Sequence, residues 1–301
     1  MTDKGSNKNP VIVLRGAVNN LFLNPIMGYP FIVIIFIQLL LLEIIFFAPR
    51  YPLSIFFAPL INYFNGPQYF QYPYNFFLLV NWFQNEWLQY SIYIIFNSFC
   101  LGAASAIIYT LNSERNLNMK AIYQQTWRSY VHLVMATIVS AFLIYTLSGS
   151  GKFSLYGFLV RRALQIRSVE GPFFMLKNIF LSGAPYLNLI LISFVMTLVA
   201  FVIPIIIIEK KNVFSALLLN FKILKESFFQ VFIIILLPAL LYVPLILIKA
   251  NNFLFQNLFS PEISGVILII SIFITVLIDA IQMVAITIYY LLRKESNEKN
   301  D

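Results

Sequence analysis

Two carboxylates stand inside otherwise apolar stretches of the chain, Asp279 in "VILIISIFITVLIDAIQMVAITIYYLL" and Glu43 in "FIVIIFIQLLLLEIIFF". An ion in a hydrocarbon layer costs at least about 2.5 kcal/mol, so a carboxylate there needs a partner, a proton or a function. Gln282 follows Asp279 by almost one helical turn, and at about 1.5 Å per residue Gln38 and Asn97 come to a comparable depth. No Lys or Arg lies at that depth. Asp279, Gln282, Gln38, Asn97 and Glu43 therefore make a candidate intramembrane polar site with two readings. One is a proton- or cation-binding position. The other is a protonated Asp279 hydrogen-bonded to amides as glue between helices, with Glu43 reaching outward.

Other reactive types are sparse. The lone His132 cannot build a multi-histidine metal centre. Cys100 and Ser193 have no evident base beside them, and no GxSxG, P-loop, HExxH or Gly-rich dinucleotide motif occurs. No catalytic residue, metal site or cofactor is assigned, and the reading leans away from an enzyme. Prolines offer a different signal. Pro204 is expected to interrupt the fourth apolar run, and Pro238 and Pro244 the fifth, because each removes a backbone donor. Broken helices line substrate cavities in transporters, although kinks also serve packing. Gly102-Ala103-Ala104-Ser105 offers a smooth face for close helix approach.

The elements that must position these residues are membrane helices. The chain of 301 residues is 60% hydrophobic and 11% charged, with a mean hydropathy of +0.83, far from the roughly 25% charged of a soluble domain. Six spans are expected at 29–48, 91–111, 130–148, 185–208, 228–248 and 265–291, each near the length that crosses about 30 Å of hydrocarbon. The expected fold is an all-α polytopic transmembrane helix bundle, one membrane domain over 1–301 with a short polar tail at 293–301. The first run lacks a small-residue cleavage site and reads as a retained span.

Thirteen of the 20 Lys and Arg fall in the N-terminus, 112–129, 209–227 and the C-terminus. This places both termini in the cytoplasm of a multi-pass protein of the plasma or inner membrane. The net charge of +8 sits in short loops, which points to lipid headgroups as partners and not to nucleic acid. The segment 149–184 resists this topology, since it carries Lys152, Arg161, Arg162, Arg167 and Lys177 on the outer side. Either "FSLYGFLVRRALQIRSV" lies as a basic amphipathic helix on the outer headgroup layer, or one span is placed differently. The outer loop 49–90 is the most aromatic part of the chain. It reads as an interfacial belt or as a lid over a lipid-sized cavity, with Pro and Gly preventing a continuous helix.

Spans one, three and five are each preceded by a short amphipathic segment, "PVIVLRGAVNNLFLNP", "NMKAIYQQTWRSY" and "NVFSALLLNFKILKESF". These are expected to be interfacial helical elbows whose cations face lipid phosphates. Lys211, Lys222 and Lys225 in the third, Lys120 and Arg128 in the second, and Arg161 and Arg162 in the outer segment are the candidate headgroup contacts.

The stretch "FVIPIIIIEKKNVFSALLLNFKILKESFFQVF" resembles the signature of a large prokaryotic six-helix membrane family that also occurs as the membrane domain of some glycerophosphoryl diester phosphodiesterases. "VNNLFLNP" is similar to the family's Asn-Pro lead-in to its first span, and "AITIYYLLRKE" to its closing helix. The long aromatic loop and Asp279 depart from the pattern, and no phosphodiesterase barrel with acidic metal ligands is present in the sequence. Diesterase activity is therefore not carried over, and the resemblance implies a polytopic membrane protein and little chemistry.

The leading expectation is a non-enzymatic membrane protein acting in membrane or lipid organisation, or as a membrane subunit of a larger complex. The alternative is a transporter of a lipid-like or small organic solute with a site near Asp279. A lipid-modifying enzyme is the third class, and it needs Arg161, Arg162 and the tyrosine-rich outer loop to meet at one pocket.

Overall fold

The computed structural model describes residues 9–113, 117–149, 154–165, 172–250 and 260–298. Lys152, Arg167 and the last three residues of the polar tail lie outside them. Among the described residues the chain is an all-α bundle, with six helices long and apolar enough to cross a membrane: Pro25–Phe47, Trp87–Asn112, Tyr130–Ser148, Lys177–Glu209, Val213–Ile248 and Ile263–Ser296. The protein is thus a multi-pass membrane protein by helix length and composition. Many large side chains on the outer faces of these helices are exposed, among them Phe36, Val131, Phe142 and Phe229. Such a surface is stable against acyl chains and not against water.

Helix α1 (Pro10–Leu23) is the first elbow. Its start is fixed by Asn9, whose side chain accepts from the Val11 amide, and by Pro10 at the first helical position, where a missing N–H costs nothing. A short 3₁₀ turn leads into α2 (Tyr29–Phe47), the first span. Val13, Leu14 and Ala17 of α1 are buried, while Val11, Ile12 and Phe22 are exposed.

The aromatic loop folds into two short helices, α3 (Ser54–Phe64) and α4 (Tyr74–Phe83). Gly66, at φ +96°, breaks the path between them, a left-handed region that penalises any Cβ. Ala48, Ile61 and Leu78 form a small core there with Phe57, Tyr69, Phe70 and Trp82 packed around it. Trp82 Nε1 donates to Asn65 Oδ1 at 2.9 Å. The loop is therefore a built hood and more than a girdle of separate rings.

Span two is α5 (Glu86–Ile92), a π-helical turn over Tyr93–Asn97, and α6 (Ser98–Asn112). The second elbow is α7 (Met119–Arg128), capped by the Asn118 side chain on the Ala121 amide, and it turns directly into span three, α8 (Tyr130–Ser148). Trp127 and Tyr130 stack with centroids 5.4 Å apart. The basic outer segment is helical, α9 (Leu155–Gln165), as expected of an amphipathic stretch.

Span four starts earlier than expected and ends where expected. Its first helix, α10 (Pro172–Leu198), begins upstream of 185 and carries Pro185 inside it. Lys177 and the Gly183-Ala184-Pro185 triplet resemble a loop in sequence, yet they lie within the helix. The break falls at 199–201, and α11 (Val202–Glu209) follows. Pro204 stands in the first turn of α11 and cannot donate to the Ala200 carbonyl four residues back, so the span is interrupted just upstream of it, as a proline in this run is expected to do.

The third elbow is continuous with span five in α12 (Val213–Ala239), because nothing between 213 and 237 interrupts the hydrogen-bond ladder. Pro238 instead ends that helix in a 3₁₀ turn over Leu240–Tyr242, and α13 (Val243–Ala250) completes the span with Pro244 in its first turn. The last span is α14 (Ile263–Glu298). Phe201, Ile205 to Ile207, Val231, Ile234, Val284 and Tyr290 form the main core, and a second core joins α2, α4, α6 and α14.

Candidate functional site

Span two brings Asn97 to Asp279. The π turn over Tyr93–Asn97 inserts one extra residue per helical cycle, a device found at functional positions. Asn97 Nδ2 donates to Asp279 Oδ2 at 3.4 Å, a long hydrogen bond, while Asn97 Oδ1 is buried without a partner. The carbonyl of Ile95 in the same turn accepts from the Tyr130 hydroxyl at 2.9 Å, tying span three to the bulge.

Asp279 keeps some accessible surface although it sits deep among the helices. That surface faces a cavity of about 60 Å³ lined by Tyr93, Ser140, Val199, Ala200, Asp279 and Gln282 among others. A water needs about 10–15 Å³ on this measure, so the cavity holds a few waters or a hydrated ion and no organic solute. Val199 and Ala200 belong to the break in span four, so the gap between α10 and α11 opens onto the carboxylate.

Gln282 lies on the same wall. Its Nε2 donates to the Ile235 carbonyl at 2.7 Å, one turn before Pro238 bends span five. Gln38 is half-buried and Glu43 is exposed, and neither lines this cavity. The five-residue polar site expected from sequence is therefore a three-residue one: Asp279, Asn97 and Gln282. Depth placed Gln38 with them, but its side chain does not line the cavity, and the exposed Glu43 agrees with the reading in which it reaches outward. No group of three or more His, Cys, Asp and Glu side chains able to hold a metal ion occurs among the described residues. Cys100 is buried and Ser193 Oγ donates to the Leu189 carbonyl at 2.9 Å, so both are packing residues.

The break in span four is closed by a residue the sequence does not advertise. Asn220 of α12 is fully buried; its Oδ1 accepts from the Phe201 amide at 3.0 Å and its Nδ2 donates to the Leu198 carbonyl at 2.7 Å. Its only sequence signal is an amide amid the apolar residues of the third elbow. Just below, Glu209 accepts from the Tyr290 hydroxyl and pairs with Lys211 at 2.7 Å. Arg293 pairs with Glu226. Phe201 stacks on Tyr289 with centroids 6.1 Å apart. The ends of spans four, five and six are thus latched together.

The candidate headgroup contacts divide. Lys222, Lys225, Lys120 and Arg128 are exposed, whereas Lys211 is held by Glu209. Arg162 lies over the Phe158 ring at 5.3 Å, and Arg161 is half-buried on the same short helix. The elbow α7 is anchored through Gln125, whose Nε2 donates to the Ile207 carbonyl at 2.8 Å.

Two larger hollows lie outside the bundle interior. One, about 570 Å³, sits under the hood and is lined by Ile44, Ile45, Phe57, Phe64, Trp82 and Leu88 with the amides of Asn65, Asn81 and Asn85. Neither Arg161 nor Arg162 lines it. The other, about 890 Å³, separates α1 from the Pro238 region of span five. Both fall in the range of about 300–1,000 Å³ usual for small-molecule sites. Compared with protein-family models, curated proteins and solved structures, the chain matches none.

Proposed function

We propose that this is a non-enzymatic membrane protein that binds and organises lipid, acting alone or as the membrane subunit of a larger complex. The contrast in size carries this reading: the interior cavity at Asp279 is about 60 Å³, whereas the lipid-facing hollows are about 570 and 890 Å³. In this arrangement the two peripheral hollows have space for an acyl chain and the cavity at Asp279 does not. Two elbows with exposed apolar and cationic residues, and the amphipathic start of α12, supply the surface that such a role needs. Both termini face the cytoplasm of a plasma or inner membrane under this reading, on the distribution of Lys and Arg. The likeness to the six-helix membrane family belongs to the same proposal, since Glu209 and Tyr290, two of the residues that carry it, meet in the latch. Purification in mild detergent followed by lipid extraction and mass spectrometry tests the reading, with crosslinking in membranes run in parallel. Retained phospholipid or a reproducible partner is expected; a lipid-free monomer without partners sinks it.

A second reading is favoured by one observation, the opening of the span-four break onto Asp279. A carboxylate facing water between two broken helices is the arrangement by which transporters bind a coupling proton or cation. Proteoliposomes loaded with a pH-sensitive dye test it. Loss of proton or cation flux in Asp279→Asn with an intact fold is expected, and equal flux in both proteins removes the reading.

A further inference from the structure

The hollow beside the first elbow has an uneven chemistry. One wall is α1, contributing Val11, Ile12, Arg15, Asn19 and Phe22; the other is Leu237, Pro238 and Leu241 of span five with Ile281 of α14. Arg15 and Asn19 are four residues apart and both exposed, so a guanidinium and an amide project from one strip of a helix whose only other polar side chain is Asn20. Arg15 makes no hydrogen bond or ion pair among the described residues. An exposed guanidinium on an interfacial helix beside apolar surface attracts an anion, and its fork of donors matches a phosphodiester. No Asp or Glu lines the groove. A zwitterionic headgroup would therefore leave its ammonium without a partner, whereas a headgroup with net negative charge would not.

We propose that the groove between α1 and span five is a binding site for one anionic phospholipid, with its phosphate on Arg15 and Asn19 and an acyl chain against Leu237, Pro238 and Leu241. This deepens the lipid-binding reading and rests on it. The floor of the groove includes Gly16, where an added Cβ meets nothing within 4 Å. A leucine there enters open space, competes for the chain's volume and favours the helix relative to glycine. It therefore blocks the site without threatening the fold.

The test is native mass spectrometry of the full chain in detergent, titrated with phosphatidylglycerol, phosphatidylethanolamine and phosphatidylcholine, and separately with inorganic phosphate. Wild type is expected to retain phosphatidylglycerol about tenfold more tightly than the two zwitterionic lipids, as one charge-assisted contact implies. Arg15→Gln removes that preference. Gly16→Leu weakens binding of all three lipids while melting no earlier than wild type. If Arg15→Gln keeps the full preference, or wild type shows none, the inference falls and the broader lipid reading stands. If wild type retains no phospholipid at all, both fall. Displacement of phosphatidylglycerol by millimolar inorganic phosphate would make the ligand a free anion and overturn the assignment to lipid.

Discussion

Asn220 stands in for the backbone that Phe201 has lost. Where span four breaks, the Phe201 amide and the Leu198 carbonyl have no mutual partner, and the Asn220 carboxamide satisfies both from the neighbouring helix at 3.0 and 2.7 Å. Gaps in a membrane helix persist only where a side chain or water supplies such bonds. Asn220 thereby makes the opening next to Asp279 permissible.

Asn220→Ala should destabilise the protein by about 2–6 kcal/mol, since two buried backbone groups lose their partners at about 1–3 kcal/mol each. Unfolding in mixed micelles by a graded denaturing detergent measures it. A change below about 0.5 kcal/mol would mean that the break is held some other way.

Tyr290→Phe should cost about 1–2 kcal/mol, because the hydroxyl hydrogen-bonds the Glu209 carboxylate, which also keeps Lys211. The same substitution in a Glu209→Gln background should cost less. A double-mutant cycle gives the coupling directly, and strict additivity would dissolve the latch.

Gly102 lies where span two meets span three and the second elbow: an added Cβ would sit 2.5 Å from Leu133 Cδ1 and 3.2 Å from Thr126 Cγ2. Leu133 is fully buried and has little room to move. Gly102→Ala should lower stability by about 1–3 kcal/mol as overpacking, despite the better helix propensity of alanine. A higher melting temperature for this variant would contradict the packing.

Asp279→Asn should leave the fold at least as stable as wild type, since the amide keeps its neighbour Asn97 and removes a charge from the bundle interior. Thermal melting of both proteins in the same detergent checks this. A loss of more than about 2 kcal/mol would show that the carboxylate itself holds the helices together.

Single cysteines should report the topology. Cys100 is buried, so its background labelling is low. Cysteines at Lys222 and Lys294 should react with a membrane-impermeant maleimide only after permeabilisation, and one at Gln68 in intact cells. The reverse pattern would invert the orientation.

Much of the fold was legible because hydrocarbon imposes one rule on every span. Runs of apolar residues long enough to cross it, with Lys and Arg between them, placed six helices to within a few residues at most ends. The exceptions are instructive. Lys177 and Pro185 resemble a loop, but both lie inside α10, which packs against α8 and α12. Pro204 and Pro244 do mark breaks, but each break falls just upstream, at the carbonyl four residues back that the proline cannot bond. The third elbow resembles a separate helix, but no residue ends it.

The candidate site was legible only in part. Sequence determined that Asp279, Asn97 and Gln38 share a depth, because rise per residue is constant. It did not determine the rotation of each helix about its axis. Rotation is set by ridge-and-groove packing between helices distant in sequence, and by the π turn before Asn97, which has no composition signal. The tertiary structure therefore decided that Asn97 meets Asp279 while Gln38 does not, and that Asn220 seals span four. It also decided that Arg15 looks into a groove, because that groove exists only once α1 and span five lie side by side.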